Sequence, residues 1–256
     1  MLLCVHGLTG SGEFFAPQAG GLADRFRIIR IDLRGHGDTA AKGELTVARL
    51  TADIEELVVH CDLHDAIGIG WSLGAMLLWG MLLGPERRRL AGAIVVDMSP
   101  RVANGPDWTL GLIDEELRAS RPGESWEDRC RRIAQAIVAD GLQHERAELI
   151  DRMAGWLATA DADAVTAIGL SMMEQDFRDR LALIETPVLI AHGARSQYYA
   201  PATSIFLLDQ LPSSTLTAFK QSGHTPHLEE PQRFNAVVAG FAAAIASAQN
   251  MKNRGG

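Results

Sequence analysis

Short apolar runs of β type alternate along the chain with segments whose apolar positions recur every three or four residues. That alternation predicts a parallel sheet covered by helices. Leu2 to Val5 reads as a first buried strand, and Phe26 to Ile31, ending at Asp32, as a second. Val47, Leu50, Ile54, Leu57 and Cys61 then carry helical spacing, with Thr46 as the cap. Ala66 to Ile69 is a third strand, and it runs through Gly70-Trp71-Ser72 into an apolar helix from Leu73 to Leu83. Gly84-Pro85 stops that helix. Ala93 to Val96, Pro187 to Ala191 and Thr215 to Phe219 read as the remaining strands, and Glu229 to Ala246 as a closing amphipathic helix.

Between about Arg101 and Arg180 the strand-like runs stop. Helical segments take over at Leu110 to Ala119, Trp126 to Ala139, Arg146 to Thr159 and Ala162 to Phe177. The expected organisation is therefore a core of residues 1–100 and 181–256, interrupted by a helical cap at 101–180 that packs over the C-terminal edge of the sheet. Trp108, Trp126, Trp156, Met153, Met172 and Met173 of this insertion are candidates either for its own packing or for lining a substrate cavity.

Composition narrows the function. Hydrophobic residues make up 47% and charged residues 22% of 256, which is a globular balance. A net charge of −8 carries no basic footprint and argues against nucleic acid as a partner. The one cationic run, Arg87-Arg88-Arg89, reads as a solvated helix end. Cys4, Cys61 and Cys130 are odd in number and lack CxxC spacing, so neither a disulfide framework nor a zinc site is indicated, and a reducing cytoplasm is the expected setting. Met1 to Val5 is too short and lacks the basic residue of a signal peptide, and no stretch reaches the roughly 18 apolar residues of a membrane span. The polar, Gly-ended tail from Met251 to Gly256 is expected to be disordered. Oligomeric state, monomer or dimer, is not legible.

The chemistry concentrates at the strand-to-helix turns. Gly70-Trp71-Ser72-Leu73-Gly74 fits G-x-S-x-G between a buried strand and an apolar helix, the setting that lifts a serine hydroxyl above a sheet edge. Serine needs a base to take its proton. His224, in a loop after the last strand, is the candidate; its alternative is a surface loop histidine. His227 reads as a capping or surface residue. The N–H groups of Leu8, after the first strand, and of Leu73, at the helix start, are the candidate oxyanion donors, with His6 shaping the loop between. Trp71 places a flat apolar surface beside the nucleophile and is a candidate substrate contact. Asp32 with Arg34 and His36 reads as a structural turn, because no further His or carboxylate completes a metal site.

Val5-His6-Gly7-Leu8, Asp32 to Thr39, Gly70 to Gly74 and Gly223 to Pro231 occur in that order. Together they resemble the α/β-hydrolase superfamily in its small carboxylesterase branch, over nearly all of the chain outside the insertion. The resemblance implies an α/β-hydrolase fold with a mostly parallel sheet and a helical cap. It also implies a Ser–acid–His triad acting on a small-molecule ester with no cofactor or metal. Two departures stand out. The family usually has two further strands before the His-Gly motif, so about six strands are expected here where about eight are common. The family's usual acid position, after the penultimate strand, holds Ser196. The other recurrent acid position, the end of the preceding strand, holds Asp97, which keeps the order Ser72, Asp97, His224. The expectation is that Asp97 and Ser196 together orient His224; alternatively Asp97 only holds the first turn of the insertion. Gly-Trp-Ser-Leu-Gly also resembles carboxylesterases that demethylate a biosynthetic acyl ester. A catalytically weak ligand-binding protein, a perhydrolase and a C–C hydrolase remain the alternatives on the same residues.

Overall fold

The computed structural model describes residues 1–113 and 121–254. Strands β1 (Leu2–Val5), β2 (Ile28–Arg30), β3 (Ala66–Trp71), β4 (Leu90–Val96), β5 (Val188–Gly193) and β6 (Ser214–Phe219) form one parallel sheet. Their order is β2-β1-β3-β4-β5-β6. Every residue of β1, β3 and β5 is buried. Helices cover both faces of these central strands, which is why their sequences are continuous apolar runs and not alternating ones. At the edge, β2 is shorter than the run from Phe26 to Ile31, because the Phe26 N–H donates to the Leu22 carbonyl at 2.9 Å and closes the helix before it.

Helices α1 (Ala16–Leu22), α2 (Val47–His60) and α3 (Leu73–Leu83) belong to the first half of the chain. Thr46 caps α2 as its residue type predicts, its hydroxyl accepting from the Arg49 N–H at 3.2 Å. Nearly all of α3 is buried, consistent with a helix that is apolar on every side. Between β4 and β5 lie α4 (Trp126–Ile137), α5 (Ala147–Leu157) and α6 (Ala162–Met173). Leu110 to Ile113, expected to begin a helix, is irregular. The N–H groups of Gly111, Leu112 and Ile113 donate to Asn104 Oδ1, the Val102 carbonyl and the Tyr198 carbonyl, which leaves no helical ladder. The rest of that expected helix, 114–120, lies outside the described residues. Helix α7 (Pro201–Gln210) links β5 to β6.

The closing helix is two helices, α8 (Pro226–Glu229) and α9 (Pro231–Arg254). Glu230 between them sits at φ −125°, ψ 56°, because the proline that follows disfavours a helical conformation there. Arg87 to Arg89 forms a single 3-10 turn before β4. Among the described residues no helix is long and apolar enough to cross a membrane.

The topology decides where a ligand can sit. The chain leaves β1 for β2 on one side and then adds β3 on the other. The loops after β1 and β3 therefore part and leave a crevice at the carboxyl ends of these strands. Ser72 immediately follows β3 at that point.

Candidate active site

Ser72 joins β3 to α3 with φ 53° and ψ −118°, a backbone conformation that L-residues rarely adopt. Hydrogen bonds hold it there. Its N–H donates to the Val96 carbonyl at 3.0 Å, and its carbonyl accepts from Ala75 and Met76 at 2.9 and 3.3 Å. The turn is so tight that a Cβ on Gly74 would lie 2.0 Å from the Val5 carbonyl oxygen. Here the second glycine of the motif is required by close approach, not by a positive φ.

The loop after β1 faces this turn. Two histidines fix it. His6 Nε2 accepts from the Leu33 N–H at 2.9 Å, so its proton is on Nδ1, which donates to the Gly7 carbonyl at 2.8 Å. His36 Nε2 accepts from the Thr9 N–H at 3.1 Å, and its Nδ1 donates to the Arg34 carbonyl at 3.0 Å. Burial, reinforced by His36, pushes His6 down to about 3, and burial lowers His36 as well. Both rings serve the backbone as neutral groups. Asp32 has the same kind of role, accepting from the N–H groups of Gly12 and Asp38. Arg34 is paired with Asp53, and no group of potential metal ligands occurs among the described residues. The N–H groups of Leu8 and Leu73 have no hydrogen-bond partner among the described residues. The Leu73 group also stands at the positive end of α3.

The structure brings Asp97, His224 and Ser196 together. Asp97 follows β4 with φ 46° and is buried. Its Oδ2 accepts from His224 Nδ1 at 2.7 Å and from the Ser196 hydroxyl at 2.6 Å. Ser196 Oγ in turn accepts from the N–H groups of Tyr198 and Tyr199. On the other carboxylate oxygen, His192 Nδ1 donates to Oδ1 at 2.9 Å. Burial alone pushes the Asp97 carboxyl up, but the two histidine donors hold it at about 2. With Nδ1 of His224 bound to Asp97, Nε2 is the nitrogen left for Ser72. Both residues line one small cavity of about 20 Å3 with Leu8, Thr9, Trp71 and Tyr198.

Against this geometry, a model of the alpha/beta hydrolase family matches residues 2–237. The chain belongs to the alpha/beta hydrolase family. It is 29% identical over 250 residues, 94% of either chain, to a pimeloyl-[acyl-carrier protein] methyl ester esterase of Aeromonas hydrophila. It is 26% identical to 3-oxoadipate enol-lactonase 2 of Acinetobacter baylyi, over 84% of this chain and 78% of that one. Among solved structures, a thermophilic esterase from Thermogutta terrifontis superimposes with a TM-score of 0.80 at 25% identity, over 95% of this chain and 89% of that one.

Several residues of this α/β hydrolase have surroundings that sequence reasoning missed. Trp71 lines the cavity, yet it is 2% exposed, and its indole N–H donates to the His224 carbonyl at 2.8 Å. With the His224 N–H bound to the Ile137 carbonyl at 2.8 Å, the histidine backbone is held on both sides. Tyr198 stacks on the His224 ring at 4.3 Å and 11°. Glu229, expected only as the start of a helix, is buried. It gathers the N–H groups of Ala139 and Gly223 and the Thr225 hydroxyl, tying the His224 loop to the end of α4. Burial raises its carboxyl against the pull of these donors.

His227 is a correction. It is neither a cap nor a surface residue, being fully buried with its ring on Phe15 at 4.9 Å and neither ring nitrogen partnered among the described residues. Burial, with the neighbouring His224, pushes it down to about 3. Its neighbours Pro226, Leu228 and Glu229 are buried with it, so the short α8 is an internal element.

A larger cleft of about 270 Å3 shares Leu8, Thr9 and Ile133 with the small cavity and is walled by Val165, Gly169 and Met173. Of the aromatic and methionine residues noted in the insertion, Met173 lines it. Met153 and Met172 are fully buried, Trp108 packs on Phe206, and Trp156 packs edge-on against Phe14.

Proposed function

We propose that this α/β hydrolase cleaves carboxylic esters through an acyl-enzyme on Ser72. The observation that carries the reading is the 2.7 Å contact from His224 Nδ1 to Asp97 Oδ2, on a ring that shares its cavity with Ser72. His224 Nε2 takes the hydroxyl proton as Ser72 Oγ bonds to the ester carbon, and the carbonyl electron pair moves onto oxygen. The N–H groups of Leu8 and Leu73 hold that oxyanion. Each such donor lowers a barrier of this kind by about 3 to 4 kcal/mol. The tetrahedral adduct then expels the alkoxide, which takes the proton from His224. Water repeats the sequence on the acyl-enzyme and frees Ser72. Asp97 stabilises the transient imidazolium, and Ser196 steadies Asp97.

The cleft walled by Leu8, Ile133, Val165, Gly169 and Met173 is read as the seat of the apolar arm of the ester, in line with a short or medium chain. An ester or lactone bond is common to the names of the relatives given above. The helices of 101–180 are read as a cap over this cleft. Three free cysteines fit a reducing, cytoplasmic setting.

The test is a panel of p-nitrophenyl esters from acetate to decanoate on wild type and Ser72→Ala. Expected are turnover by the wild type and a loss of about 10^4-fold or more in Ser72→Ala. Wild-type rates in Ser72→Ala refute the acyl-enzyme, and tight ligand binding without turnover by the wild type favours a binding protein.

A further inference from the structure

We propose that His192 is a positioning residue for this reaction, donating from Nδ1 to Asp97 Oδ1 so that Oδ2 stays turned toward His224. The inference rests on the Ser72–His224–Asp97 reading above. It starts from an asymmetry at the carboxylate. His224 and Ser196 both bind Oδ2, at 2.7 and 2.6 Å. Turning about the Cβ–Cγ bond, a torsion with broad preferences, would carry Oδ2 away from both of these donors. A donor on Oδ1 holds the other end of the carboxylate against that turn, and His192 is the side chain that supplies one, at 2.9 Å.

His192 is well placed to do so. It lies within β5, whose previous residue, Ala191, pairs with Val96 and accepts the Asp97 N–H at 2.9 Å. Strand backbone on both sides therefore sets the distance between the ring and the carboxylate. Ser196, by contrast, is on the loop that follows. The end of β5 also runs tightly against the His224 loop, where a Cβ on Gly193 would lie 1.6 Å from the Gly223 carbonyl oxygen. The strand that carries His192 is thus packed directly on the loop that carries His224.

The other ring nitrogen carries the stronger argument. His192 is buried, and its Nε2 has no hydrogen-bond partner among the described residues. A buried polar atom without a partner is destabilising, and an apolar side chain of similar size would fill the space without that penalty. Among the described residues, the one polar contact the ring does make is with Asp97. An ionised carboxylate only accepts, so the Nδ1 proton is defined. The second histidine on Asp97 thus acts on the first through the carboxylate, without touching the substrate cleft.

The experiment compares His192→Leu, His192→Asn and His192→Gln, with kcat and KM measured on p-nitrophenyl butyrate and folding checked by circular dichroism. Asn places an amide N–H near the Nδ1 position, whereas Gln places it near Nε2. Expected is a fall in kcat of about 10- to 100-fold in His192→Leu and His192→Gln with KM unchanged, the range for a lost hydrogen bond to a charged group. His192→Asn recovers to within about fivefold of wild type on the same grounds. Equal impairment of Asn and Gln, a change confined to KM, or a wild-type kcat in His192→Leu overturns the proposal. Where His192→Leu does not fold, the Asn–Gln contrast alone decides. Full turnover by Ser72→Ala would instead remove the acyl-enzyme reading, so the two failures are distinct.

Discussion

Replacing Asp97 by asparagine is the sharpest test of the acid assignment, because the two side chains have the same shape. Three donors converge on its two oxygens: His192 Nδ1–H on Oδ1, and His224 Nδ1–H with the Ser196 hydroxyl on Oδ2. Asparagine offers one oxygen and one NH2. The better arrangement keeps the oxygen toward His224 and Ser196 and turns the NH2 toward His192. The His192 proton must then move to Nε2, which is buried and has no partner among the described residues. The larger loss is the charge. A carboxylate about 4 Å from the imidazolium is worth about 4 kcal/mol at an effective dielectric of about 20. At about 1.4 kcal/mol per decade, kcat should fall about 10^3-fold. KM should hold, because Asp97 does not line the cleft. The assay is steady-state turnover of p-nitrophenyl butyrate at pH 8, with urea unfolding to confirm that the variant is folded at that pH. An Asp97→Asn enzyme within tenfold of the wild-type kcat would falsify the assignment.

Ser196→Ala removes one of the two donors on Oδ2 and should lower kcat by about tenfold in the same assay; a loss as large as that of Asp97→Asn would make Ser196 more than a support. Gly169→Leu tests the cleft. A Cβ there meets Leu8 Cδ2 at an ordinary 3.4 Å, so the helix should accept it while the longer side chain fills the space. The expected result is a loss of at least about tenfold in kcat/KM for the longer esters with acetate little changed, and an unaltered chain-length profile counts against the cleft as the arm's seat. Acid stability follows from three buried groups. Folded His6 and His227 sit at about 3 against an ordinary 6.5, so the unfolded chain takes up protons first and stability falls as pH drops below about 6.5. Asp97, held at about 2 against 3.8, adds a further loss as pH falls through that interval. Urea midpoints should hold between pH 8 and about 6.5 and decline from there to pH 3, and His227→Leu should make the decline below about 6.5 shallower; a midpoint independent of pH between about 6.5 and 4 contradicts this account.

Much of the fold was legible because the signals are local. The apolar runs that become β1 and β3 are buried on both sides, and continuous hydrophobicity is what such strands require. Thr46 starts α2 through its side-chain hydroxyl, and Gly84-Pro85 stops α3 through its own backbone chemistry. The elbow at Ser72 was readable from its local setting between an apolar run and an apolar helix, although the contact that demands the glycine at 74, the Val5 carbonyl, belongs to another strand. Asp97 was legible only through its place at a strand end and the serine at position 196.

The remainder depends on contacts between residues far apart in the chain. No local pattern distinguishes the capping or surface histidine expected at 227 from a ring sealed against Phe15, because α8 is buried by elements from the start of the chain. Glu229 reads as the start of a helix until Ala139, 90 residues away, donates to it. His192 reads as the end of a strand until the β4–β5 register sets it beside Asp97. Sequence alone determined where strands stop, where the backbone must turn and which residue types stand at those turns, since hydrophobic period, glycine and proline act within a few residues. Tertiary structure decided which of them share a cavity and which buried donors reach Asp97, because hydrogen bonding at 3 Å depends on how strands pair and not on their distance along the chain.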